Sequence, residues 1–77
     1  MRSIQVLGMG CQKCKVLEER VAQAARDDGL DATIEKVTSP AVFVRLGVMA
    51  TPALVVDGVV KVTGRVPTVA ALRKLLR

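Results

Sequence analysis

Cys11 and Cys14, separated by Gln12 and Lys13, are the only cysteines in this chain and the residues best suited to electron exchange. A thiol at the start of a helix faces unpaired backbone N–H groups and the positive end of the helix dipole. Both favour the thiolate, the form that attacks disulfides and binds soft metals. Lys13 adds a full positive charge close by, and Cys14, one turn on, gives Cys11 a built-in partner for a reversible disulfide. Redox chemistry is therefore the first reading and metal binding its rival. A bond across so short a loop would constrain the unfolded chain little, whereas a structural staple would more usefully join distant segments. The chain has no histidine, which removes Cys-His catalysis and Cys/His zinc sites.

The surrounding pattern predicts how the pair is held. Residues 2 to 7 alternate polar and apolar and end at Gly8, as a short strand would. Gly8-Met9-Gly10 makes a turn that carries the backbone to Cys11. From Cys14, apolar residues recur at Leu17, Val21, Ala24 and Ala25, one face of a helix that stops at Gly29. Cys14 lies on that apolar face and is expected to be the buried thiol. Cys11, at the cap, is expected to be the exposed one.

Ala32 to Val37 reads as a second strand, and one intervening helix makes the pair parallel. Ser39-Pro40 supplies an N-cap and a proline for a short helix with Val42, Phe43 and Leu46 inward, closed by Gly47. Ala53 to Val56 is a third strand. Asp57-Gly58 signals a hairpin into Val59 to Val62, residues 64 to 67 form a loop, and Thr68 caps a last helix with Val69, Leu72, Leu75 and Leu76 inward. The order is βαβαββα in one domain spanning residues 1–77, an α/β arrangement with a four-stranded mixed sheet and helices on both faces. That is the architecture of a minimal thioredoxin fold.

The residues also carry a family resemblance. The first strand runs into Gly-Met-Gly-Cys-Gln-Lys-Cys. Gly47-Val48-Met49-Ala50-Thr51-Pro52 leads into the Ala53–Val56 strand and Asp57-Gly58, and Gly64-Arg65-Val66-Pro67 follows. Over essentially its whole length the chain resembles the small thioredoxin-like redox-disulfide proteins of the thioredoxin/glutaredoxin superfamily. The resemblance implies a thiol-disulfide oxidoreductase of protein-disulfide reductase type, with Cys11 as nucleophile and Cys14 as resolving cysteine. It implies that Gly10, Gln12 and Lys13 form the active-site loop, that Pro52 is cis, and that Thr51 and Pro52 bind an extended substrate segment by backbone pairing. The implied partners are a disulfide-containing protein substrate and, as electron donor, a reductase or a low-molecular-weight thiol. No cofactor beyond the Cys11-Cys14 disulfide and no bound metal are implied. The chain departs from ordinary thioredoxins in having Gly10 where a tryptophan usually precedes the first cysteine, and Gln-Lys where Gly-Pro is usual. No buried acid can be placed behind Cys14, since Glu18, Glu19 and Glu35 read as surface groups.

Two rivals stand beside this reading. Met9-x-Cys11-x-x-Cys14 matches the loop of heavy-metal-associated domains, and two thiolates suit Cu(I). Those domains are βαββαβ, however, and here a second helix precedes Ala53 while the chain ends in a helix. An inert interaction module on the same scaffold is the other rival, against which both cysteines and Thr51-Pro52 count.

The formal net charge of +5 is read mainly as solvated helix faces, including Arg20, Arg26, Arg73, Lys74 and Arg77. Lys13, Lys15, Arg45 and Arg65 lie where they could surround the cysteines and select acidic partners. Nucleic acid is not an expected partner, because Phe43 is the only aromatic residue and offers no stacking platform. No apolar stretch reaches membrane length. A cytoplasmic monomer is expected, since a CxxC near a βαβ pattern belongs to a reducing compartment.

Overall fold

A computed structural model describes residues 2–76 of the chain. The elements are β1 (Arg2–Leu7), α1 (Gln12–Asp27), β2 (Ala32–Val37), α2 (Pro40–Arg45), β3 (Ala53–Val56), β4 (Val59–Thr63) and α3 (Val69–Leu76). The sheet order is β2-β1-β3-β4. β2 lies parallel to β1, while β3 pairs antiparallel with both β1 and β4.

Alternation along the two central strands divides the core. Ile4 and Val6 of β1, with Leu54 and Val56 of β3, face Leu17, Val21 and Ala24 of α1 and Leu72 and Leu76 of α3. Leu7, Ala53 and Val55 point the other way and pack with Val37, Phe43 and Val48. Residues two apart share a face, so each central strand contributes to both clusters. This explains why β3 reads Ala-Leu-Val-Val with no polar break: all four residues are buried. In the β3–β4 ladder Leu54 opposes Val62 and Val55 opposes Val60, leaving Lys61 as the extra residue of a bulge. That bulge keeps Val62 inward on the α1 side.

The element ends follow local chemistry. Helix α2 closes with the Val48 N–H bonded to the Phe43 carbonyl and the Gly47 N–H to the Val44 carbonyl. Gly47 adopts φ +73 to make that closure, a conformation that costs a side-chain-bearing residue about 1–2 kcal/mol. The Ala71 N–H donates to Thr68 Oγ1 at 3.2 Å, so Thr68 is the cap the sequence predicts. Ser39 holds the cap position, but its hydroxyl makes no capping bond, which corrects the expectation there. Asp57 (φ 51) and Gly58 (φ 82) form the hairpin turn. The Asp57 carboxylate accepts from the Ser3 N–H and from Arg2, both at 2.9 Å, tying the turn back to β1.

Two cations read as solvated have distant partners. Arg73 of α3 pairs with Asp28 at the end of α1, Nε to Oδ1 2.7 Å. Arg20 of α1 donates to the Pro67 carbonyl at 3.1 Å and to that of Val66 at 3.5 Å. Arg77 lies outside the described residues.

Candidate active site

The strand register brings the site together. Leu7 at the end of β1 pairs with Val37 of β2 and with Ala53 of β3, and Ala53 pairs in turn with Thr63 of β4. The loop to Cys11, the Thr51-Pro52 segment and the loop after β4 therefore leave the sheet at one end. Two backbone bonds fix this rim: Gly8 N–H to the Val37 carbonyl at 3.0 Å, and Gly64 N–H to the Pro52 carbonyl at 2.8 Å.

Cys11 is the N-cap of α1, with extended backbone (φ −72, ψ 166), and its sulfur accepts from the Cys14 N–H at 3.2 Å. Cys14 is in the first helical turn and only 3% exposed, whereas Cys11 is exposed. The two form a disulfide, their Cα atoms 5.1 Å apart. The N-terminal end of α1 thus directs a backbone donor at the outer sulfur, the arrangement that stabilises a thiolate once the bond is reduced.

Gly8 has a role the sequence reading did not assign. It is buried, and a Cβ on it would overlap Cys14 Sγ and stand 2.9 Å from Cys14 Cβ. Its missing side chain is the seat of the inner sulfur. Gly10 differs: it has φ +81, and a Cβ there would meet open space.

The Thr51-Pro52 peptide is cis; Pro52 is buried and Thr51 exposed. Among the described residues, no backbone hydrogen bond uses the Thr51 N–H or carbonyl. Gln12 and Lys13 line a groove of about 360 Å³ beside the disulfide, with Gly64, Arg65 and Val66 on its opposite side. Arg20 also lines it, and its bonds to Val66 and Pro67 hold the far side in place. Helical periodicity alone puts Arg20 on an outer face; its partners lie 46 and 47 residues away, beyond what local spacing reports. Lys15 faces a different depression, with Glu18 and Glu19. Arg45 is exposed on α2 and lines neither of these depressions.

Among the described residues, no charged or polar side chain is buried, so no acid stands behind Cys14. Nor do three or more His, Cys, Asp or Glu residues gather there as a metal-ligand set. Met9 is 63% exposed, and the βαβαββα order is not that of the heavy-metal-associated domains. No helix among these residues is long and apolar enough to cross a membrane.

A family model described as thioredoxin domain matches residues 2–77. The chain is 37% identical over 76 residues to a protein named thioredoxin from Methanothermobacter thermautotrophicus, covering 99% of each. It is 34% identical over 74 residues to a protein of the same name from Methanocaldococcus jannaschii, covering 96% of this chain and 85% of that one.

Proposed function

From the premise that this chain belongs to the thioredoxin family and is a thiol-disulfide oxidoreductase, we propose that Cys11 is its attacking sulfur and Cys14 its resolving one. The observation that carries the assignment is the contrast between an exposed Cys11 at the helix cap and a Cys14 that is 3% exposed against Gly8. A client disulfide can reach the first sulfur and not the second.

In the reduced protein the Cys11 thiolate attacks one sulfur of a client disulfide. A bond forms from Cys11 to that sulfur, the client S–S bond breaks, and the other client sulfur leaves as a thiolate. Cys14 then gives up its proton and attacks Cys11 Sγ. The mixed disulfide breaks, the second client thiolate leaves, and the protein is left with its internal disulfide. Two electrons have passed to the client. A dithiol reductase or a small thiol returns them by the same exchange in reverse. The backbone of Thr51 pairs with the client segment beside the cis-proline, a reading supported by its unengaged N–H and carbonyl. The couple works as a monomer in a reducing cytoplasm, with no metal or prosthetic group.

The test is a pair of serine variants mixed with a protein disulfide such as insulin's. Cys14→Ser accumulates a covalent mixed disulfide through Cys11, visible by intact mass and released by dithiothreitol. Cys11→Ser forms none and reduces nothing. Turnover by Cys11→Ser, or an adduct on Cys14, reverses the assignment.

A further inference from the structure

The groove beside the disulfide carries charge of one sign. Lys13, Arg20 and Arg65 line it, and no Asp or Glu does. Val16 and Val66 add apolar side chains to its lining. Its volume of about 360 Å³ is at the small end of ligand-binding clefts. One wall is the Gln12-Lys13 dipeptide between the cysteines, and the other follows Gly64, whose N–H is bonded to the Pro52 carbonyl. A segment whose sulfur lies at Cys11 therefore brings its neighbouring residues past these cations. The depression formed by Lys15, Glu18, Glu19 and Ala22 makes the contrast, because its charges are mixed.

Resting on the reading of Cys11 as the attacking sulfur, we infer that this groove selects client protein segments bearing carboxylates next to their disulfide. The charge complementarity is direct: a carboxylate gains from Lys13 and Arg65 at the rim, whereas a lysine in the same place is repelled. Exposed pairs of this kind give small energies, yet they act on encounter as well as on the bound state. Arg20 is the positioning residue, since its guanidinium holds the Val66–Pro67 backbone from which Arg65 projects. The electron flow is that of the general reaction, from the protein dithiol to the client disulfide. Only the choice of client is added.

The experiment mixes the fully reduced protein with two synthetic disulfide-bonded peptides that differ only in Glu or Lys beside each cysteine. Each rate is normalised to the rate of the same peptide with dithiothreitol, which removes the intrinsic reactivity of the peptide disulfide. The Glu peptide is reduced roughly fivefold faster at low salt, the order that one or two exposed ion pairs supply. The preference collapses at about 1 M salt, where the Debye length is about 3 Å. Arg65→Glu removes or reverses the preference and Arg65→Lys retains it. Lys13→Gln lowers it, and because the readout is a ratio, any effect of Lys13 on the thiolate itself cancels. Equal normalised rates, or a ratio that Arg65→Glu leaves intact, overturn the selectivity. Failure of the wild-type protein to reduce either peptide overturns the oxidoreductase mechanism instead, so the two failures are distinct.

Discussion

Replacing Gly8 by alanine probes the seat of the inner sulfur. The added Cβ would overlap Cys14 Sγ and lie 2.9 Å from Cys14 Cβ. Carbon atoms in ordinary contact sit at about 3.5–4.0 Å, so even the milder of these approaches is roughly 0.6 Å too short. Overpacking of this kind costs about 1–3 kcal/mol. Opposing it, Gly8 is not among the positive-φ residues, so alanine fits the backbone and restricts the unfolded chain by about 0.4–1 kcal/mol. The packing term wins, leaving the oxidised protein less stable by roughly 1 kcal/mol.

The penalty differs between redox forms. In the disulfide, Cys14 Sγ is tied to Cys11 and cannot turn away from the new methyl group. In the dithiol, the side chain regains its other rotamers and relieves part of the overlap. Gly8→Ala therefore disfavours the oxidised form relative to the reduced one and raises the reduction potential. A two-electron couple moves about 30 mV for each 1.4 kcal/mol, so the expected rise is roughly 20 mV. Urea denaturation of both forms, with equilibration in a thiol buffer, measures both quantities. Gly10→Ala is the control: its φ of +81 strains the backbone, but its Cβ meets nothing, so it costs the two forms alike. An oxidised Gly8→Ala protein as stable as the parent, or a potential that falls, would refute the reasoning.

Two further perturbations test the scaffold. Asp57 is held below its ordinary carboxylate pKa of 3.8, chiefly by the Ser3 N–H; desolvation opposes this as the next largest effect, and the Arg2 guanidinium lowers it further. A depressed folded pKa stabilises the protein above the unfolded value and loses that contribution as pH falls through the folded one. Asp57→Asn should therefore lower the denaturation midpoint at neutral pH, with the gap to the parent closing below about pH 4; a gap constant from pH 7 to 2 would contradict this. Arg20→Gln removes charge-assisted bonds to the Val66 and Pro67 carbonyls, and should cost about 1 kcal/mol and speed amide exchange at Gly64–Val66. Unaltered exchange there would mean the loop is held by other contacts.

The limits of the sequence reading have physical causes. Periodicity reports an element's own faces, which is why Leu17, Val21 and Ala24, and then Leu72, identify buried stripes, and why Cys14 falls inside and Cys11 outside. It carries no information about partners supplied by another element. Arg20 and Arg73 look solvated on their helices because the carbonyls and the carboxylate they meet lie 45 to 47 residues away. Gly8 looks like no more than a turn residue for the same reason: the atoms that exclude its Cβ belong to Cys14, in the following helix. Ser39 is a cap by residue type and position, yet no hydrogen bond follows, since propensity does not orient a hydroxyl. The cis form of Thr51-Pro52 is implied by the family resemblance and not by local pattern, because the bond preference itself favours trans.

The unequal exposure of the two sulfurs follows from how α1 is attached. The stripe that buries Leu17 and Val21 continues one turn earlier to Cys14, while Cys11 precedes the helix and stays in extended backbone. Burial keeps Cys14 from outside reactants but disfavours charge on its sulfur, and it must lose a proton to resolve a mixed disulfide. Among the described residues no buried side chain can take that proton. On the proposed mechanism, the base available at that moment is the client thiolate released by the first attack, still beside Cys11. Resolution then transfers the Cys14 proton to the client sulfur released in the first attack, while the second client sulfur leaves as a thiolate. A client whose departing thiol is a weak base should accordingly resolve more slowly, so the chain's discrimination among substrates lies in the second step as well as in the basic groove that governs the first.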